Sequence, residues 1–164
     1  MEKYSKSDQR LLAIWAADSA ERLIHFFEST YTNDDRPRKA IETCRVWIKT
    51  GVFKMSEIRG ASLASHAAAR DTKENSPARF AARAAGQAVA TAHVPQHAFG
   101  VTYYGMKLIQ SADPINYKTK IIKELRWQSK HLPKHLREGW YEWGRNRLPK
   151  NLQEVWKEFL KKDN

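Results

Sequence analysis

Hydrophobic residues recur at intervals of three or four positions along most of the chain, which is the spacing of amphipathic helices. Residues 5–31, SKSDQRLLAIWAADSAERLIHFFESTY, predict a first helix with one apolar stripe, formed by Leu12, Ala16, Leu23 and Phe27. Ser5 or Ser7 can cap the start of this helix, because both side chains offer an acceptor to the free backbone N–H groups of the first turn. The stripe indicates a helix that packs along one face.

The next stretch, residues 33–51, carries helix signals at both ends. Pro37 suits the first turn, because its ring presets the helical φ angle. Gly51 suits the stop, since glycine readily adopts the left-handed conformation that ends many helices. The apolar stripe between them consists of Ile41, Cys44 and Ile48. We therefore expect a second helix over this range.

Residues 55–70 and 75–94 carry mostly alanine, serine and glycine at their would-be interior positions. Helices with such small side chains can approach each other closely, so these two predict the tight centre of a bundle. Ser76, followed by a proline, predicts the start of the second of them. Pro95 then kinks or ends this helix, and a further helix is expected over residues 95–112.

A short unit occurs twice near the end of the chain, as LPKHLREGW at residues 132–140 and LPKNLQEVW at residues 148–156. Each unit has a proline suited to a first helical position and a leucine one turn before a tryptophan. The pair predicts two short helices that dock through Leu/Trp ridges, namely Leu136 with Trp140 and Leu152 with Trp156. No stretch alternates like a strand. The sequence therefore predicts one all-α domain, a helical bundle of about six to eight helices with an alanine-rich core.

Composition limits the class of protein. The chain has 164 residues, enough for one domain with its own core. Its single cysteine, Cys44, excludes an internal disulfide framework and any multi-cysteine zinc site. No apolar run approaches the length of a bilayer span, so we expect a soluble cytoplasmic protein without membrane association.

The chain is strongly basic, with a formal net charge of +11, of which +5 falls in residues 1–112 and +6 in residues 113–164. This excess favours an acidic protein, a nucleic acid or an anionic membrane surface as partner. The C-terminal third also concentrates aromatic residues, and its candidate partner-binding residues are Trp140, Trp143, Arg145, Arg147, Lys150 and Trp156. These rings could serve packing, a protein interface or, ranked third, single-stranded nucleic acid.

Three histidines form the candidate metal set. His93 and His97 are four positions apart, and His66 lies in the neighbouring alanine-rich helix, so three imidazoles could meet around a zinc ion. However, Pro95 interrupts the spacing, and no glutamate lies between the pair as in a zincin motif. Histidines among small residues more often hydrogen-bond to backbone carbonyls or carboxylates. We therefore expect no metal and no cofactor.

Arginines follow one another on the face of a single predicted helix. Arg79, Arg83 and Gln87 are spaced by four residues, and Arg70 ends the helix before them. An arginine cannot be buried alone, because removing its charge from water is costly. We therefore expect this arginine stripe (Arg70, Arg79, Arg83 and Gln87) to pair with carboxylates, such as those of Asp34, Asp35, Glu42 or Asp71. The alternative is a groove in which the stripe binds an anion.

No catalytic motif accompanies these residues. The sequence lacks a GxSxG nucleophile elbow, a phosphate-binding glycine loop and a paired-carboxylate signature. We assign no catalytic residues and expect a binding protein instead of an enzyme.

Five segments, in this order, resemble the small all-helical prokaryotic immunity proteins of the Imm-five-like group: LAIWAADSAERLIHFFE, DDRPRKAIETCRVWIKTG, ASLASHAAAR, ARAAGQAVATAHVPQHAFGVTYYGMKLI and ELRWQSKHLPKHL. The resemblance covers about residues 10–138. It implies a cytoplasmic protein that neutralises a toxin by direct, non-enzymatic binding. The expected partner is then an acidic protein, plausibly a toxin, and nucleic-acid binding through the basic aromatic C-terminal surface is the alternative.

The sequence departs from this group in two places. Gln87 stands where relatives often have histidine, which further weakens the metal hypothesis. Residues 139–164 look like an extension beyond the shared region. The expected organisation is an immunity-like helical bundle over residues 1–138 and a basic, Trp-rich helical extension over residues 139–164. The extension would serve as the contact of a homo-oligomer or as the partner-specific surface.

Overall fold

The computed structural model describes residues 4–163, and within this range the chain folds into eight long helices and one helix of four residues, without a strand. The helices are α1 (Lys6–Glu21), α2 (His25–Glu28), α3 (Arg36–Thr50), α4 (Met55–Asp71), α5 (Ser76–Ala90), α6 (His97–Ala112), α7 (Tyr117–His131), α8 (Lys134–Arg147) and α9 (Lys150–Asp163). This arrangement confirms the predicted all-α, single-domain bundle. None of the helices combines the length and apolar composition needed to cross a bilayer.

Capping residues set several helix boundaries where the sequence predicts them. Ser5, one of the two candidate caps of α1, forms a capping box with Asp8. The Ser5 hydroxyl accepts a hydrogen bond from the Asp8 N–H at 3.0 Å, and the Ser5 N–H donates to the Asp8 carboxylate at 3.2 Å. Pro37 lies in the first turn of α3, and Gly51 ends that helix with a φ of +68°. Glycine adopts this left-handed conformation without strain.

Two boundaries differ from the prediction. The first apolar stretch is not one continuous helix, because residues 22–24 form a turn between α1 and α2. The N-cap of α5 is Asn75 instead of Ser76, since the Asn75 side chain accepts a hydrogen bond from the Ala78 N–H at 3.2 Å. Asparagine caps a helix as well as serine does, and here its oxygen is the one that reaches a free N–H of the first turn.

The alanine-rich helix α5 lies at the centre of the bundle and packs against α1, α2, α3, α4 and α6. Alanines at positions 78, 81, 82, 84, 85 and 88 are fully buried, and their small side chains let neighbouring backbones come close. Serine hydroxyls of α4 therefore reach the backbone of α5. Ser65 donates to the carbonyl oxygen of Ala82 at 2.7 Å. Ser62 donates to that of Gly86 at 3.0 Å. The predicted alanine-rich core is confirmed.

Helices α8 and α9 pack on this bundle through aromatic side chains. Trp140 is fully buried and packs edge to face on Trp15 of α1, with ring centroids 5.6 Å apart. The Trp140 indole N–H donates to the Thr102 hydroxyl at 3.0 Å, and that hydroxyl donates to the Gln128 amide oxygen at 2.7 Å. The C-terminal helices and the rest of the bundle therefore share one core, joined by a buried chain of hydrogen bonds.

Each of the two repeated units forms the start of a helix, and the two starts have the same hydrogen bond. In each unit a leucine N–H donates to the proline carbonyl at 2.9 Å, from Leu136 to Pro133 and from Leu152 to Pro149. Each proline precedes the first helical residue instead of occupying it. The leucines and tryptophans of both ridges are buried, as the docking interpretation predicts.

Candidate functional site

The three candidate histidines, His66, His93 and His97, line one pocket with a volume of about 250 Å³. It lies between α4, the end of α5 and the start of α6. Apolar side chains form much of its wall, and the lining is completed by a few polar ones: Met55, Ile58, Leu63 and Ala90 are apolar, and Arg59, Ser62 and Gln87 are polar. We call this site the histidine pocket.

Two glycines allow polar side chains to lie directly against helix backbones in the histidine pocket. The His66 ring of α4 lies on Gly86 of α5, where an added Cβ would be 2.8 Å from the His66 Cε1 and Nε2 atoms. The Gln87 side chain lies on Gly100 of α6, where an added Cβ would be 2.8 Å from the Gln87 Oε1 atom. Real Cβ atoms essentially never come closer than 3.0 Å to a neighbour. Alanine at either glycine would therefore displace the side chain that faces it.

The imidazole rings of His97 and His66 differ in their hydrogen bonds. The His97 Nδ1 atom is 2.8 Å from the Gln87 Oε1 atom. Because this amide oxygen only accepts, Nδ1 carries the proton and Nε2 of the neutral His97 ring is an acceptor. The His66 Nδ1 atom is buried and has no hydrogen-bond partner among the described residues. The pocket therefore holds polar atoms that the rest of the protein leaves without full partners.

Burial keeps these imidazoles uncharged at neutral pH. Burial, followed by the positive charges of Arg83 and Arg70, lowers the pKa of His66 to about 4. Burial and the neighbouring His93 also lower the pKa of His97. Desolvation disfavours the protonated form of an imidazole, and nearby cations act in the same direction. The positive charge around the pocket consequently comes from arginines and not from His66 or His97.

The arrangement does not support a metal centre. In the part of the chain that the structure describes, no group of three or more His, Cys, Asp or Glu side chains is placed to hold a metal ion. The His66 ring lies on Gly86, and the His97 Nδ1 atom is occupied by Gln87. The fold thus brings the three histidines to one pocket without placing them as a ligand set for a metal ion.

The arginine stripe is not paired as the sequence analysis expected. Within residues 4–163, Arg70, Arg79 and Arg83 form no salt bridge and no side-chain hydrogen bond. Arg70 is exposed, and Arg79, Arg83 and Gln87 are half-buried. Internal pairing, the preferred interpretation, is therefore wrong for these arginines. An anion-binding role, the alternative, stays a prediction.

Three of the four carboxylates that were expected to meet the stripe, those of Asp34, Asp35 and Asp71, bind other cations. Asp34 and Asp71 both contact Arg36, at 2.6 and 2.8 Å. Asp35 contacts Lys39 at 2.9 Å. Asp34 and Asp35 lie two and four residues from these cations, so the local pairs form with little loss of chain entropy. For Asp34 and Asp35, local partners are therefore favoured over the more distant stripe, whereas Asp71 pairs with Arg36 across the fold.

Exposed apolar side chains surround the histidine pocket. Met55 and Leu63, which line it, are 43% and 56% exposed. Phe53 is 43% exposed and stacks on His93, with ring centroids 6.3 Å apart. Large apolar residues exposed together mark interaction sites. These residues are not among the candidates predicted from the sequence, although a signal is present: apolar residues interrupt the polar character expected of the α3–α4 connection, GVFK at residues 51–54.

The structure corrects two of the six residues proposed to bind a partner. Trp140 and Trp156 are fully buried and pack edge to face on each other, with ring centroids 5.0 Å apart. Neither indole is available to a partner, because the Trp140 ring packs on Trp15 of α1 and the Trp156 ring lies against Gly144 of α8. Packing, the first of the interpretations considered, is therefore correct for these two. Of the other four residues, Trp143 is half-buried and Arg145, Arg147 and Lys150 are exposed. Arg145 contacts Glu138 at 3.0 Å.

Trp143 and Arg147 adjoin the histidine pocket. A second cavity of about 420 Å³ is lined by Gln87, His97, Trp143 and Arg147, among others. Gln87 and His97 line the histidine pocket as well. Together the two cavities form one surface across α4, α5, α6 and α8, which we call the α4–α8 groove. The groove connects the three histidines to Trp143 and Arg147, two of the candidate partner-binding residues that are not buried.

Comparison with known proteins places the chain in a family. A family model described as Imm-5 like putative immunity protein matches residues 2–135. No curated protein and no solved structure matches the chain. The matched range includes α1 to α7 and the histidine pocket, whereas most of α8 and all of α9 lie beyond it. Because the match spans most of the chain and agrees with the resemblance seen over about residues 10–138, the chain belongs to the family of Imm-5 like putative immunity proteins.

Proposed function

We propose that the chain is a cytoplasmic, non-enzymatic immunity protein that binds a protein toxin directly and thereby blocks it. Membership of an immunity family supports this role. The observation that carries direct binding is the α4–α8 groove, where arginines without salt-bridge partners in the described range lie near exposed apolar side chains. Such a combination is typical of surfaces that complete their contacts with another protein.

In this mechanism the positive charge would affect the rate of association, and the exposed apolar surface would stabilise the complex. The net charge of +11 would accelerate encounter with an acidic partner. After docking, Phe53, Met55 and Leu63 would lose their contact with water, which stabilises the complex in proportion to the area covered. Trp143 and Arg147 are of the residue types that contribute most to interface energy. The toxin would then be inactive because the bound chain covers its active surface.

Nucleic-acid binding, the alternative, has weaker support. Proteins that bind single strands stack bases on aromatic rings that are open to solvent. Trp140 and Trp156, two of the three indoles considered for this role, are enclosed in the core. The exposed cations that remain, such as Arg147 and Lys150, would supply phosphate contacts, and of the three indoles only the half-buried Trp143 is left for stacking. The protein-binding proposal therefore takes precedence.

The proposal is tested with the full chain and a candidate toxin domain, which is sought among the proteins encoded by the neighbouring genes. Both are co-expressed, the complex is purified, and affinity is measured by isothermal titration calorimetry at 150 and 500 mM salt. We expect rescue of cell growth and a dissociation constant on the order of nanomolar. Trp143→Ala is expected to weaken binding, and Arg126→Ala serves as the control because Arg126 is exposed on α7 and does not line the groove.

Two outcomes would contradict the proposal. The first is growth arrest that persists on co-expression, together with no detectable complex. The second is stronger binding to a single-stranded oligonucleotide than to the toxin domain at 150 mM salt, with a steep loss of affinity at 500 mM, since that salt dependence indicates phosphate contacts.

A further inference from the structure

We infer that the histidine pocket receives one carboxylate side chain, a glutamate or an aspartate, from an acidic segment of the protein partner. The inference rests on the proposed function, since it names the chemistry by which that partner is held. The size of the pocket, its hydrogen-bonding groups and the charge around it support this occupant.

The pocket is smaller than a site for a drug-sized ligand and has room for one side chain. Its volume of about 250 Å³ lies below the range of roughly 300–1,000 Å³ that is usual for drug-sized ligands and cofactors. Ile58, Met55 and Leu63 provide an apolar wall suited to a methylene stem. Met55 and Leu63 are also exposed enough to contact the residues that flank the inserted side chain. Pockets that take one anchoring side chain are common at the centres of protein interfaces.

The hydrogen-bonding groups of the pocket include donors without acceptors. The Gln87 amide oxygen is engaged by His97 at 2.8 Å, so its amide nitrogen still has hydrogens to donate. Arg59 lines the pocket, is exposed, and forms no salt bridge within the described range. A guanidinium group binds a carboxylate more strongly than any other side-chain acceptor, because two parallel hydrogen bonds can form.

Positive charge surrounds the pocket without an internal counter-ion. Arg70 and Arg83 are near enough to His66 to act on its ring electrostatically. Together with Arg59, they have no salt-bridge partner among residues 4–163. No aspartate or glutamate of these residues lines the pocket. A carboxylate supplied by the partner would therefore complement this region, and its arrival would pair charges that the free protein leaves solvated.

The first test uses a probe that does not depend on the toxin. The full chain, with isotope-labelled histidines, is titrated with an acetylated and amidated hexaglutamate peptide, and the imidazole signals are followed by NMR. We expect the signals of His66 and His97 to shift. Those of His131 and His135, which are exposed on α7 and α8, should stay in place. A hexamer of deoxythymidylate serves as the competing polyanion.

The second test uses variants that alter the pocket in different ways. Ala90→Leu fills the pocket without changing the charge of the protein, and Arg59→Ala removes an exposed guanidinium group from its lining. Both should weaken binding of hexaglutamate and of the toxin domain at least tenfold. Arg126→Ala, on α7, removes the same charge outside the pocket and should leave both affinities within twofold. Thermal melting shows whether each variant is folded. If Ala90→Leu does not fold, Arg59→Ala still tests the inference.

The outcomes separate this inference from the proposed function. If the toxin domain binds but both pocket variants bind it as well as the wild type, the inference is wrong and the proposed function stands. If hexaglutamate shifts His66 and His97 but no toxin domain binds, the pocket chemistry is supported and the proposed function fails. Shifts caused by the oligonucleotide and not by the peptide would overturn the inference in favour of a phosphate site.

Discussion

Gly144 is the position where the structure makes the sharpest prediction about stability. It is buried in α8, and a Cβ added there would overlap the indole ring of Trp156 at its Cε2, Cζ2 and Nε1 atoms. Trp156 is fully enclosed and contacts Trp140 and Phe159, so the ring has no free space into which it could move. Gly144→Ala must therefore separate α8 from α9 or force Trp156 into a strained rotamer.

The expected magnitude follows from two opposing effects. Replacing a glycine by alanine inside a helix stabilises it by about 1 kcal/mol. Overpacking of a filled core costs about 1–3 kcal/mol and more where the neighbour is rigid. Because the overlap involves a large ring held on several sides, we expect Gly144→Ala to lower the free energy of unfolding by about 2 kcal/mol. For a chain of this size, that corresponds to a fall in Tm of roughly 4–8 °C.

The matched control is Gly60→Ala. Gly60 lies inside α4, is exposed, and an added Cβ there would meet nothing within 4 Å. Urea denaturation followed by circular dichroism should show that Gly60→Ala stabilises the protein by up to about 1 kcal/mol. The same assay should show the opposite sign for Gly144→Ala. If both substitutions stabilise the protein equally, the close approach of α8 and α9 at Trp156 is refuted.

Three further predictions concern stability. Trp140→Phe should be about 1 kcal/mol more destabilising than Trp156→Phe in urea denaturation, because the Trp140 indole N–H donates a hydrogen bond to Thr102 at 3.0 Å, whereas the Trp156 indole N–H has no partner among the described residues. The folded protein should lose stability as the pH falls from 6.5 towards 4, since burial lowers the pKa of His66 to about 4 and the unfolded chain then binds a proton that the folded chain does not. Because His66 is only half-buried, we expect this loss of stability to be about 1–2 kcal/mol. The Tm of His66→Asn should therefore fall less steeply with decreasing pH than the Tm of the wild type. Equal slopes would contradict the lowered pKa of His66. Asp163→Ala should lower Tm, because its carboxylate accepts hydrogen bonds from the hydroxyls of Ser129 and Tyr141 at 2.6 and 2.8 Å; an unchanged Tm would show that this contact does not hold α9.

The histidine pocket shows how close helix packing in the core can create a pocket lined by polar side chains. Gly86 and Gly100 allow His66 and Gln87 to lie against helix backbones. The same small-residue packing that brings α4, α5 and α6 together therefore also places polar side chains around a shared pocket. Substituting the buried Gly86 by alanine should disturb the site at a position that does not itself contact a partner, because the added methyl group would displace the His66 ring.

The repeated LPK units illustrate what a sequence pattern can and cannot decide. Their prolines and leucines predict two helix starts, and Pro133 and Pro149 indeed stand directly before α8 and α9. Whether the tryptophans that follow are buried or exposed depends on how α8 and α9 are placed on the bundle. Sequence spacing is the same for an indole that packs inward and for one that faces a partner. The burial of Trp140 and Trp156 could therefore be read only from the folded chain.

The amino-acid sequence alone determined the helical class, most helix boundaries, the alanine-rich centre and the family. These properties follow from local preferences and from periodicity, which involve residues a few positions apart. The tertiary structure decided which rings are enclosed, which cations lack a carboxylate, and that His66 and His97 share a pocket with Phe53, Met55 and Leu63 nearby. Those properties depend on distances between segments far apart in the chain, such as His66 to Gly86 or Trp140 to Trp15. Such distances are set by the packing of whole helices and not by the preferences of any one of them.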